Sequence, residues 1–291
     1  MHRGKYFKYI FIAPTLIILT ATAVYPMYFA LVTSFHRWKL TRSITRGPYI
    51  GLDNYTRAFE DDNFINSLRV TLGIVAISVP ISVILGLIFA LLLQRSTRLN
   101  IFTKTFLILP FTVAPALKGY LWRFMLNPDF GMFDRIVDIL IPPLAGFVWL
   151  EKSFWALFML SLTEIWGWAP LIALIFLGGL ATIDQEVLDA ARTDGANALQ
   201  TMMYVTLPML RPLILLITVL RIIFSLRLFD QVVTMTGGGP GNSTVTLNFF
   251  VYQNAFRFFD MGYASAVGYI LMLLMFVMTY IYVRLLLKGS K

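Results

Sequence analysis

Six long runs almost free of charge divide this chain, and nothing else in it limits the possible folds so sharply. They cover Tyr9–Phe35, Ile65–Gln94, Phe106–Leu126, Phe154–Leu180, Pro212–Thr236 and Tyr263–Leu287. A helix needs about 20 apolar residues to cross the hydrocarbon core of a bilayer, so each run is long enough. Barrel strands would be about ten residues long with alternating polarity. These runs are longer and apolar on every face, which predicts an all-α, polytopic membrane protein with six transmembrane helices. Composition agrees: with 58% apolar and 13% charged residues, the chain lacks the polar surface that a water-soluble domain of 291 residues needs. It has no cysteine, which excludes disulfides, thiolate metal sites and cysteine nucleophiles.

The first run follows Arg3, Lys5 and Lys8 and contains Ala21-Thr22-Ala23, as a cleavable signal peptide would. The apolar character continues unbroken through Val24–Ala30, so a retained helix is expected. The net charge of +9 then bears on orientation. With both termini cytoplasmic, the inner segments hold eleven Lys and Arg (Arg3, Lys5, Lys8, Arg95, Arg98, Lys104, Arg192, Arg211, Arg284, Lys288 and Lys291). The longer outer segments hold eight, a bias in the direction the positive-inside rule requires.

The inner segment from Ala181 to Arg211 is long enough to fold. Thr182 and Asp184 ahead of Gln185 and Glu186 form a helix-start signal. Leu188, Ala191 and Ala198 supply a small-residue face, Gly195 offers a bend, and Pro208 is expected to stop the helix that follows.

Within this segment, Asp189-Ala190-Ala191-Arg192-Thr193-Asp194-Gly195-Ala196, with Leu207-Pro208 a dozen residues later, resembles the "EAA" loop of membrane subunits of bacterial ATP-binding-cassette (ABC) importers. Thr236-Gly237-Gly238-Gly239-Pro240 resembles a stretch of carbohydrate permeases of the maltose-permease (MalF-like) family. Gly51-Leu52-Asp53-Asn54-Tyr55 and Asn127-Pro128-Asp129-Phe130-Gly131 extend the resemblance over nearly the whole chain. Asp189 stands where the signature has glutamate, one methylene shorter and of the same charge.

The resemblance implies an ABC type I importer permease fold: a single transmembrane domain over residues 1–291, with a cytoplasmic coupling loop at 183–210 in a multi-pass inner-membrane protein. It implies a second homologous permease, two copies of an ATP-hydrolysing subunit carrying ATP and Mg, an extracytoplasmic solute-binding protein and a carbohydrate substrate. Asp189, Ala190, Ala191, Asp194, Gly195 and Ala196 would seat on the ATPase. The small side chains allow close approach, Gly195 turns the backbone, and the two aspartates accept hydrogen bonds. A plain Asp-Gly turn flanked by alanine helix filler is the simpler reading of the same residues, and the spacing to Leu207-Pro208 outweighs it.

Catalytic chemistry finds little footing. The glycine cluster Gly237–Gly241 has no lysine after it and so is not the phosphate loop of an ATPase. A tight re-entrant turn is expected there. The two histidines, His2 and His36, are isolated and read as solvated residues, and Asp61-Asp62 reads as a solvated turn. No cofactor is expected on this chain, and no nucleic-acid partner.

Charges inside spans are costly and face protein or a water-filled cavity. Here they are Arg69, Lys118, Arg123, Glu164, Arg221, Arg227 and Asp230. Arg221, Phe224, Ser225 and Leu228 share one helical face, and Glu164 and Trp168 form an i, i+4 pair. Carboxylate, guanidinium, hydroxyl and ring are what a hydroxyl-rich ligand needs, and the resemblance places substrate contacts on these two spans. Glu164, Trp168, Arg221, Phe224, Ser225 and Leu228 are therefore the candidate substrate residues. A buried Glu164–Arg221 ion pair is the equal alternative, and neutral and anionic sugars both remain open. An ion-coupled secondary transporter is the runner-up, although the repeated halves such carriers show are missing.

Overall fold

The computed structural model describes residues 4–94 and 98–288. Arg3, Arg95 and Lys291, three of the inner basic residues, lie outside the described residues. In chain order the helices are α1 (Gly4–Leu19), α2 (Tyr25–Ser34), α3 (Asp53–Glu60), α4 (Asp62–Leu93), α5 (Arg98–Leu107), α6 (Leu109–Thr112) and α7 (Pro115–Met125). They continue with α8 (Met132–Leu140), α9 (Ser153–Leu180), α10 (Gln185–Thr193), α11 (Ala198–Thr201), α12 (Leu207–Leu226), α13 (Leu247–Tyr252) and α14 (Met261–Lys288). Among the described residues there is no β-strand, only two isolated bridges.

Five helical stretches are long and apolar enough to cross a membrane: Phe11–Ser34, Asp62–Leu93, Ser153–Leu180, Ala198–Leu226 and Met261–Arg284. The third expected span differs. It is a pair, Phe102–Thr112 and Pro115–Met125, bent by 97°. Ala114 precedes Pro115, and a residue before proline is pushed from the helical into the extended region. Both Val113 and Ala114 are extended, with ψ of 129° and 140°.

The fifth span is also shifted. Pro208 does not stop a helix, because a π-helical turn over Met202–Thr206 carries α11 into α12. Pro208 falls in the first turn of α12, where its missing N–H is not needed. At the other end α12 stops at Leu226, ten residues before the expected Thr236. Leu228 therefore lies beyond the helix and not on its face. A π-helical turn follows at Val232–Thr236.

The described chain forms two compact units. One comprises the chain up to Ile65 with Phe250–Leu273, and the other comprises Asn66–Phe249 with the chain from Leu274. In the first, the buried Asn54 donates to the carbonyls of Ser34 (2.8 Å) and His36 (3.0 Å), tying α3 to the end of α2. Arg57 pairs with Asp260 at 3.0 Å and lies over the Tyr263 ring. Asp61 is more than a solvated turn, since it accepts the Tyr263 hydroxyl at 2.9 Å. His36 is likewise engaged, with Nδ1 2.7 Å from the Val32 carbonyl oxygen.

In the second unit, α4, α9 and α12 meet around Ala90, Ile172, Phe176, Leu180, Leu210 and Ile217. Gly86 makes the α4–α9 approach possible: a Cβ there would collide with the Ile172 side chain and come within 3.2 Å of the Ala173 amide nitrogen. The glycine cluster is the tight turn the sequence predicts. Gly237, Gly238 and Gly241 all have positive φ. Thr244 Oγ1 closes the turn through Thr236 Oγ1 and the Gly239 carbonyl, both at 2.8 Å.

Replacing Gly86 with leucine forces α4 and α9 apart and is expected to cost about 1–3 kcal/mol, read as a lower melting temperature in detergent. Gly178→Ala on α9, where a Cβ meets nothing within 4 Å, is expected to leave the melting temperature unchanged or raised.

Candidate functional site

The seven charges inside the expected spans separate by burial. Arg69, Arg123, Arg227 and Asp230 are exposed, whereas Lys118, Glu164 and Arg221 are 4%, 3% and 1% exposed. The three buried groups converge from three elements. Glu164 projects from α9, Arg221 from α12 and Lys118 from α7, the helix redirected by the bend at Ala114-Pro115.

Glu164 is engaged through both oxygens, each of which keeps a further lone pair. Its Oε2 pairs with Arg221 Nη1 at 3.4 Å, and its Oε1 accepts from Gln231 Nε2 at 2.8 Å. Arg221 Nε donates to Ser82 Oγ on α4 at 3.3 Å, and the guanidinium carbon lies 4.7 Å from the Trp168 ring centroid. Four segments thus meet on one ion pair: α4, α9, α12 and the residues after α12. Buried charges are tolerable only when paired and hydrogen-bonded, and this network meets the condition for the carboxylate.

Beside the pair opens a cavity of about 420 Å³, bordered by Phe111, Lys118, Glu164, Trp168, Phe224, Arg227, Leu228, Asp230 and Gln231, among others. Its apolar wall is a run of rings. Phe111 meets Trp168 at 5.4 Å, and Trp168 meets Phe224 at 4.8 Å between centroids. Two glycines bring the walls together. A Cβ at Gly119 would overlap Thr234 Oγ1, so α7 can lie against the π-helical turn at Val232–Thr236. A Cβ at Gly167 would lie 2.8 Å from Lys118 Nζ, so the ammonium rests on α9 where a side chain would otherwise stand.

Of the candidate substrate residues, Glu164, Trp168, Phe224 and Leu228 border the cavity. Arg221 and Ser225 are buried behind it, Ser225 with its hydroxyl 3.2 Å from that of Ser78. Sequence reasoning missed Gln231, Ser82 and Phe111. A signal for the serines existed: Ser67, Thr71, Ser78 and Ser82 fall on one face of α4, and all four are buried.

The second candidate region is α10–α11. Asp184 caps α10, accepting from the Glu186 amide at 3.1 Å. Gly195, with φ of 82°, ends it in a Schellman turn. The Ala196 amide reaches the Ala191 carbonyl and the Gly195 amide that of Arg192, both at 3.0 Å. Asn197 and Gln200 then form a reciprocal capping box that starts α11. Asp189 and Asp194 are exposed, Ala190 is exposed, and Ala191 and Ala196 are half-buried. Asp189 pairs with Arg192 at 2.8 Å on the surface, a contact weak enough to exchange for another. Leu199, Met203 and Tyr204 nearby expose large apolar surface.

Residues 70–289 match the family model described as "Binding-protein-dependent transport system inner membrane component". The chain belongs to that family. This permease is 32% identical over 275 residues to the sulfoquinovosyl glycerol transport system permease protein SmoG of Agrobacterium fabrum, covering 94% of this chain and 88% of that one. It is 30% identical over 284 residues to the trehalose/maltose transport system permease protein MalF of Thermococcus litoralis, covering 97% and 94%. Its fold matches a chain of a bacterial ABC transporter involved in import of the acidic polysaccharide alginate, with a TM-score of 0.86, 19% identity and coverage of 99% and 98%. The permease is thus a multi-pass inner-membrane subunit of an ABC importer, not an enzyme. The ion-coupled carrier finds no support.

Glu164→Gln leaves the buried Arg221 without its carboxylate. The variant is expected to lose about 3–5 kcal/mol, seen as a large drop in the melting temperature of the detergent-solubilised complex. Glu164→Gln combined with Arg221→Gln should recover part of that loss.

Proposed function

We propose that this permease imports a carbohydrate or sugar derivative by alternating access, driven by ATP hydrolysis on partner subunits. The cavity carries this reading. Its ring wall of Phe111, Trp168 and Phe224 suits the C–H faces of a sugar, and Glu164, Gln231, Arg227 and Asp230 offer polar groups around the rim. The names of the relatives, sulfoquinovosyl glycerol and trehalose/maltose permeases, support the same class. Trp168, Phe224, Leu228 and Glu164 are assigned direct contact with the substrate, while Arg221 and Ser225 hold the wall from behind.

In this reading the chain pairs with a second homologous permease, two ATPase copies carry ATP and Mg, and a solute-binding protein delivers the substrate. A solved relative of the same fold is an ABC transporter in complex with an alginate pentasaccharide-bound periplasmic protein. Residues 183–210 form the coupling segment on the cytoplasmic side. There the exposed Asp189 and Asp194, the small Ala190, Ala191 and Ala196, and the turn at Gly195 present a compact surface to the ATPase. Both termini are cytoplasmic.

Two experiments test this. Ligand-stimulated ATP hydrolysis should require the assembled complex and be lost in Gly195→Val, because a β-branched residue cannot adopt a φ of 82° without strain. Stimulated hydrolysis at the normal rate by that variant overturns the coupling assignment. The absence of native cysteine makes orientation direct to read: Thr182→Cys should resist a membrane-impermeant thiol reagent in intact cells, and Ser43→Cys should react with it.

A further inference from the structure

The charges at the cavity do not cancel, and the imbalance falls on one side chain. Glu164 spends one carboxylate oxygen on Arg221 and the other on Gln231. Arg221 is therefore neutralised in place. Lys118 is not: among the described residues its ammonium makes no ion pair and no hydrogen bond. The Phe111 ring lies 5.8 Å from Nζ to the centroid, and the Glu164 carboxylate acts on the ammonium only from beyond ion-pair distance. Yet Lys118 is 96% removed from solvent by the rest of the chain and borders the cavity. It is held there by the notch at Gly167, where no side chain keeps the ammonium off α9.

A cation buried to this extent with neither an ion pair nor a hydrogen bond is costly, and a charge at such depth marks a place where a ligand can offset that cost. Arg227, also on the cavity border and exposed, adds a second positive charge, against one further acid, Asp230.

We propose that Lys118 binds an anionic group, a carboxylate or sulfonate, on the transported sugar, making this a permease for acidic carbohydrates. This deepens the function proposed above and rests on it. The ring wall takes the sugar face while Lys118 takes the charged substituent through a charge-assisted hydrogen bond. Neutral sugars of the same shape would leave the ammonium desolvated and unpaired, so the site discriminates by rejecting them as much as by attracting the anion.

The test reads binding alone, independent of ATP hydrolysis and transport, so its failure is distinct from a failure of the importer reading. The assembled complex in nanodiscs, without nucleotide, is titrated with glucuronic acid, its methyl ester and glucose while the melting temperature is followed. Glucuronate is expected to stabilise the complex, and the ester and glucose to do so about tenfold more weakly or not at all. Lys118→Gln should abolish that preference and Lys118→Arg should keep it. Gly167→Ala, which displaces the ammonium without removing its charge, should weaken glucuronate binding even if Lys118→Gln fails to assemble. Equal or stronger stabilisation by the neutral sugars overturns the proposal. So does no stabilisation by glucuronate, or glucuronate binding undiminished in both Lys118→Gln and Gly167→Ala.

Discussion

The buried pair between Glu164 and Arg221 is the contact on which the membrane part of this permease depends. Through it and its two hydrogen-bonded neighbours, Ser82 and Gln231, α4, α9, α12 and the segment after α12 share one polar centre inside an apolar bundle. Lipid provides no hydrophobic drive between helices, so specific contacts of this kind and close packing must fix their positions. The pair also decides what is left over at the cavity. Together with Gln231 it engages both oxygens of the Glu164 carboxylate and leaves Lys118 without an ion pair of its own.

Packing supplies the second constraint. Gly86 and Gly119 stand where a Cβ would strike Ile172 or Thr234, so α4 reaches α9 and α7 reaches the turn at Val232–Thr236 at backbone distance. The cavity wall consists of elements drawn together in this way. Its shape follows from missing side chains as much as from those present.

The α10–turn–α11 segment shows how local sequence alone can define a structure. Asp184, Gly195, Asn197 and Gln200 each satisfy orphaned backbone groups at a helix end, through an N-cap, a Schellman turn and a capping box. Every one of these contacts spans five residues or fewer, which is why the helix start at Asp184 and the bend at Gly195 are legible in the sequence. The same local logic failed at Pro208. A π-helical turn at Met202–Thr206 absorbed the proline that by itself signals a stop.

The sequence by itself determined the number of apolar runs, the all-helical class, the helix start and bend around Asp184 and Gly195, and which residues carry charge inside the apolar runs. These properties depend on neighbours along the chain: run length, capping, and the cost of a charge in lipid. Only the tertiary structure decided that the third run bends by 97°, that α12 ends before Leu228, and that Arg221 is spent on Glu164 while Lys118 is not. The last of these depends on where side chains from different helices meet. Gln231 lies 67 residues from Glu164 in the chain, and helical periodicity has no term for a contact at that separation.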